Sequence, residues 1–227
     1  MDARKLTATQ LAAIIDHTFL KAFGPPADIE QLCAEAREYG FAAVAINPAE
    51  IERCVELLRG SPVKVGATMG FPLGQNSGAV KDYETKDAIA RGAEEIDMVI
   101  NVRALQAGRT DIVRAEITAF ADTCRAAKVI SKVILETCYL NGEEKRAVCR
   151  IARDAGVDFV KTSTGFGSGG ATVDDIQLMR AEVGPTLGIK ASGGVRTLEA
   201  ALAMIDAGAT RIGSSASVAI IQALQRQ

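Results

Sequence analysis

The sequence predicts an α/β protein whose parallel strands close into a (β/α)8 TIM barrel, and three observations carry that reading. Short β-branched runs alternate eight times with longer amphipathic stretches. Ionisable residues collect toward the ends of the apolar runs, where a parallel barrel places its chemistry. Glycine clusters follow the sixth, seventh and eighth runs, and the last two of these loops are where barrels often bind phosphate.

A lead-in helix opens at the capping-type Thr7-Ala-Thr-Gln10. The runs IIDHT (14–18), FAAVAIN (41–47), VKVGATM (63–69), EEIDMVIN (94–101) and VISKVILET (129–137) read as the first five strands. VDFVKT (157–162), LGIKAS (187–192) and ATRIGS (209–214) complete the eight. Helical stretches fall at 28–39, 49–59, 78–91, 109–127, 142–155, 173–182, 197–207 and 215–225. Asn141 three residues before Glu144, Thr172 three before Asp175, and Thr197 ahead of LEAALAMI supply start signals. Gly40, Gly60, Gly92, Gly156 and Gly208 stand just past helical stretches, where a left-handed residue ends a helix. Eight units in 227 residues, with no linker or low-complexity break, give one domain over residues 1–227. The rival architecture is a doubly wound open sheet.

Composition narrows the function. Twenty-six basic and 28 acidic residues leave a formal charge of −2 with no basic run, so nucleic acid is not an expected partner. The opening MDARKLTATQ is polar and no apolar stretch reaches the roughly 18 residues of a membrane span, which reads as a cytoplasmic protein without membrane contact. Five cysteines without a CxxC pair argue against a disulfide framework or zinc ribbon. The lone His17 does not supply a catalytic zinc set, and no metal or other cofactor is expected.

The strand ends carry Asp16, His17 and Thr18, then Asn47, Thr68, Asp97 with Asn101, Lys132 with Glu136, Lys161 with Thr162, and Lys190 with Ser192. One such lysine usually snorkels to solvent or pairs with a carboxylate. Three on consecutive strands, facing one mouth with Asp16 and Asp97, fit a different chemistry. Desolvation and a neighbouring ammonium lower a lysine pKa and free the amine to attack a carbonyl, which is the requirement for a Schiff base. Asp97 reads either as a satisfied core ion pair or as a proton carrier beside Lys190. His17 reads as a hydrogen-bond partner before a general base, and Phe71 and Phe166 as mouth lining or loop packing.

The clusters GFGSGG (165–170), SGG (192–194) and GSS (213–215) permit tight turns in any protein. Two of them in the loops after strands seven and eight favour a phosphorylated substrate. Gly165, Gly167 and Gly170 also match the dinucleotide fingerprint, but the sixth unit is the wrong place for it and Lys190 stands where a ribose-binding acid belongs.

Six segments share order and spacing with one family: IDHTFLK (15–21), EIDMVIN (95–101), KVILET (132–137), FVKTSTGF (159–166), IKASGGVRT (189–197) and RIGSS (211–215). From about residue 7 to 219 the chain resembles the deoxyribose-phosphate aldolases, class I Schiff-base aldolases. The resemblance implies reversible cleavage of 2-deoxy-D-ribose 5-phosphate to D-glyceraldehyde 3-phosphate and acetaldehyde, the two small-molecule partners being a phosphorylated sugar and acetaldehyde. It places the Schiff base on Lys161, the second lysine at Lys190 and the proton-relay carboxylate at Asp97. Asp16, Thr18 and Lys132 match supporting positions. Gly165, Gly193, Gly194, Val195, Gly213 and Ser215 match the groups that hold phosphate.

Two departures stand out. Where many members carry cysteine in the second strand, this chain has Ala45, and its tail VAIIQALQRQ lacks the terminal tyrosine of some members. Without that thiol, better tolerance of high acetaldehyde is expected. The competing readings are a phosphate-binding barrel isomerase with no covalent step and a catalytically silent barrel scaffold. Helices 109–127 and 142–155 offer a face for a homodimer, although outer barrel helices of monomers share their pattern.

Overall fold

A computed structural model describes residues 3–226. Eight parallel strands pair in sequence order and the first closes on the eighth: β1 Ile15–Phe19, β2 Ala43–Ile46, β3 Lys64–Met69, β4 Glu95–Val99, β5 Ile130–Ile134, β6 Phe159–Lys161, β7 Gly188–Ser192 and β8 Arg211–Ser214. The open-sheet alternative is therefore excluded. Each strand lies inside its expected run except that β1 extends one residue further, to Phe19.

The helices are α1 Ala8–Ala12, α2 Ala27–Tyr39, α3 Ile51–Leu57, α4 Gly78–Ala90, α5 Val102–Gln106, α6 Thr110–Ala127, α7 Gly142–Ala155, α8 Val173–Val183, α9 Leu198–Asp206 and α10 Ser217–Gln225. Thr7 and Gln10 close a reciprocal capping box on α1, as Asn141 and Glu144 do on α7. Thr172 and Thr197 accept backbone N–H groups at the starts of α8 and α9. Gly40 and Gly156 end α2 and α7 in the left-handed conformation. Lys128 performs the same role after α6 with φ 59°, a site with no glycine to announce it.

The short α5 is absent from the expected pattern. Strand four stops at Val99, and Asn101 caps α5 by accepting from Ala104 N at 3.0 Å rather than ending a strand at the mouth.

Strands β2 and β4 are buried along their whole length, as expected where side chains fill the barrel on one face and meet helices on the other. Ile96 and Met98 alternate with Glu95 and Asp97, and Ile189 and Ala191 flank Lys190; these apolar residues join a core with Leu32, Phe120, Ile176 and Ile220 from the helices. This period-two split puts hydrocarbon outside the strands and ionisable groups within.

Candidate active site

Seven ionisable side chains meet inside the barrel. Asp97 pairs in register with Lys132, and Lys161 with Lys190, which in turn pairs with Arg211, so neighbouring strands present their long side chains at matching heights. Asp97 Oδ2 accepts from Lys161 Nζ at 2.7 Å and from Lys190 Nζ at 2.8 Å, while its Oδ1 accepts from Lys132 Nζ at 2.8 Å. Lys190 also donates to Asp16 Oδ2. Arg211 donates to Asp16 Oδ1 at 2.6 Å, and Lys132 lies 2.6 Å from Glu95 Oε2. Asp16, Glu95, Asp97, Lys132, Lys161 and Lys190 are each no more than 3% exposed.

Four cations (Lys132, Lys161, Lys190, Arg211) thus face three carboxylates (Asp16, Glu95, Asp97), one positive charge in excess. The excess falls on Lys161. Burial, reinforced by the ammoniums of Lys190 and Lys132, lowers its amine to about 8 against the opposing pull of Asp97. Burial also works against the Lys132 ammonium, yet Asp97, Glu95 and Asp16 outweigh it and push that pKa up. Burial alone would raise Asp97, but Lys132, Lys161 and Lys190 hold its carboxyl well below the usual range. Asp16 is held down in the same way by Lys190, Lys132 and Arg211.

Above this layer opens a cavity of about 480 Å³, lined by Lys161, Lys190 and Thr18 and by Gly165, Gly193, Gly194, Val195, Gly213 and Ser215. Asp97, Asp16 and Lys132 lie outside its lining and reach it through the two lysines. Thr18 Oγ1 donates to the Asp16 carbonyl at 2.9 Å. Gly213 is buried beside Lys190, where a Cβ would stand 3.0 Å from Lys190 Cε.

The loop after β6 docks on the loop after β7. Ala171 N donates to Ser192 O at 3.1 Å and Gly193 O at 3.0 Å, and a Cβ on Gly170 would stand 2.1 Å from Gly193 O. Gly170 and Gly193 therefore lack side chains because two backbones occupy that space.

Glu95 and Arg211 escaped the expected set. Both stand two residues before a mouth position, Asp97 and Gly213, so the strand period already placed them on the same interior face. His17 bonds Glu35 of α2 at 2.8 Å through Nε2 and packs on Phe41 with ring centroids 5.0 Å apart, a hydrogen-bond partner between strand and helix.

The model of the DeoC/LacD family aldolases matches residues 10–223. The chain belongs to that family. It is 64% identical over 218 residues to a deoxyribose-phosphate aldolase of Bacteroides thetaiotaomicron, covering 96% of this chain and 92% of that one. A deoxyribose-phosphate aldolase of Clostridium perfringens is 56% identical over 213 residues, with 94% and 95% covered. The tetrameric deoxyribose phosphate aldolase of Aeropyrum pernix superposes with a TM-score of 0.90 at 30% identity, covering 96% of this chain and 92% of its own. As a DeoC/LacD aldolase the protein is a carbon–carbon lyase, and no helix among its described residues is long and apolar enough to cross a membrane.

Proposed function

We propose that a single barrel domain carries out the reversible cleavage of 2-deoxy-D-ribose 5-phosphate to D-glyceraldehyde 3-phosphate and acetaldehyde. The observation that carries the assignment of roles is the Lys161 amine, buried, lowered to about 8 and open to a cavity rimmed by glycine loops.

In this reading the neutral Lys161 amine adds to the sugar aldehyde, and loss of water leaves an iminium. The iminium draws in the electron pair of the adjacent C2–C3 bond as the C3 hydroxyl gives up its proton, releasing glyceraldehyde 3-phosphate and leaving an enamine. Protonation of the enamine carbon and hydrolysis return acetaldehyde and the free amine. Lys190 and Asp97, 2.8 Å apart and both in reach of Lys161, are the proton carriers, and Lys132 and Asp16 fix their geometry and charge. Backbone donors of Gly165, Gly193, Gly194, Val195 and Gly213, with the Ser215 hydroxyl and Thr18, hold the substrate and its phosphate, which suits the size and glycine content of the cavity.

Incubation with acetaldehyde and sodium borohydride tests the assignment by intact mass. One ethyl adduct on the wild type and none on Lys161→Ala is the expected result; an unmodified wild type would overturn it.

The free cysteines fit a reducing, cytoplasmic location. A homodimer or higher assembly is supported by the tetrameric relative and by Val80 and Tyr83, 45% and 71% exposed on α4. Light scattering reads the assembly directly.

A further inference from the structure

Glu136 stands outside the charge layer, and its backbone is held where a glycine would be easier. Its φ of 57° and ψ of 63° are left-handed, one of two such non-glycine residues among those described. A left-handed conformation is costly for a side chain with a Cβ, so a glutamate at this position points to work done by the carboxylate. The residue is 3% exposed. On either side of it, Leu135 N donates to Lys161 O at 2.9 Å and Thr137 N to Thr162 O at 3.0 Å, tying the end of strand five to the residues around the nucleophile.

The carboxylate then crosses to the next loop. Glu136 Oε1 accepts from Thr164 N at 3.2 Å and Oε2 accepts from the Thr164 hydroxyl. Thr164 Oγ1 in turn accepts from Phe166 N at 3.0 Å, and the Phe166 ring meets Phe71 edge to face with centroids 5.4 Å apart. Between Thr164 and Phe166 lies Gly165, which lines the cavity. Further along the same loop a Cβ on Gly167 would stand 3.2 Å from Glu136 Cδ and 2.8 Å from Cys138 Sγ, so the loop rests on this carboxylate and its neighbour.

We propose that Glu136 is a positioning residue: its two bonds to Thr164 fix the turn that presents Gly165 to the substrate phosphate and docks the glycine loop on Gly193. The inference rests on the phosphate role given above to those loops. Glu136 touches no reacting atom, so its loss acts on phosphate recognition more than on the covalent step.

Two variants separate the anchor from the backbone. Glu136→Gly relieves the left-handed strain and removes the carboxylate; Glu136→Gln keeps one acceptor oxygen but sets an amide donor against a donor of Thr164. Inorganic phosphate is titrated by calorimetry into wild type and both variants, and KM and kcat are measured with 2-deoxyribose 5-phosphate. The expected result is phosphate affinity weakened at least tenfold in Glu136→Gly and less in Glu136→Gln. KM should rise in the same order, with kcat changed by less than about threefold, the order expected when binding shared by ground and transition states is lost. Wild-type phosphate affinity in a folded Glu136→Gly, a fall in kcat at constant KM, or a wild type that binds no phosphate would each overturn the proposal. Should Glu136→Gly not fold, the phosphate titration of Glu136→Gln decides alone. If the wild type binds phosphate but does not cleave the sugar, the aldolase assignment fails, while the titrations still decide the role of Glu136.

Discussion

Lys161 and Lys190 share one oxygen: their amines lie 2.7 and 2.8 Å from Asp97 Oδ2. Two ammoniums on one carboxylate oxygen, deep in a barrel, raise the energy of the doubly protonated state. Burial adds to this, and Lys161 carries the result. The rate of borohydride trapping with acetaldehyde should therefore climb with pH to an inflection near 8 and level beyond it. In Lys190→Met one ammonium is gone and the inflection moves to higher pH. An unmoved inflection would mean that Lys190 does not set the basicity of Lys161.

The same depression makes Lys161 a weak point in the fold. Its pKa falls from 10.5 to about 8 on folding, so below pH 8 both states are protonated and the cost of the buried ammonium is fully present. Between pH 8 and 10.5 the folded state sheds its proton first and the cost fades. Lys161→Met should raise unfolding stability at pH 7 by about 1 to 3 kcal/mol, with the advantage shrinking by pH 10. Urea unfolding at the two pH values measures both.

Glu95 and Arg211 lie 3.3 Å apart beneath the lysines. Arg211→Leu leaves Asp16 and Glu95 short of a cation and should cost about 3 kcal/mol, whereas the double variant with Glu95→Leu should cost less than the sum of the two single changes. A double-mutant cycle by denaturation gives the coupling; simple additivity would count against a shared network.

These two residues also mark how far the sequence could be read. The eight strands were legible because apolar and ionisable residues alternate along them, and the mouth was legible because Lys161, Lys190 and Asp97 interrupt hydrocarbon where a barrel keeps its chemistry. Glu95 and Arg211 sit one pleat deeper, near the starts of their runs and away from the strand ends where chemistry is expected, although the strand period puts them on the same interior face. Five-residue α5 spans too few turns to display a period. Glu136 read as strand because it continues the largely apolar run VISKVIL; its left-handed turn goes with the neighbouring loop that its carboxylate binds.

Gly170→Ala should push the glycine loop off Gly193, since its Cβ would overlap the carbonyl. Phosphate binding rather than bond cleavage should suffer, with KM for the phosphorylated sugar rising about tenfold or more and turnover of unphosphorylated 2-deoxyribose falling far less. Steady-state kinetics on the pair of substrates reads the difference.

Ala45 is buried in β2, and of the five cysteines only Cys138 is not fully buried. Placing a thiol back with Ala45→Cys should shorten the half-life of activity in concentrated acetaldehyde relative to the wild type, followed by residual activity over time. Equal half-lives would remove the thiol as the cause of aldehyde sensitivity.

The interior layer holds one cation more than it has carboxylates, and that surplus is a property of the whole set. Removing a cation balances the layer and leaves burial to act on Lys161 without that surplus; removing a carboxylate enlarges the surplus. The reactivity of the nucleophile is thus written into seven positions on six strands, and a barrel redesigned for a new aldehyde best keeps its reactive amine where cations beneath the mouth outnumber carboxylates.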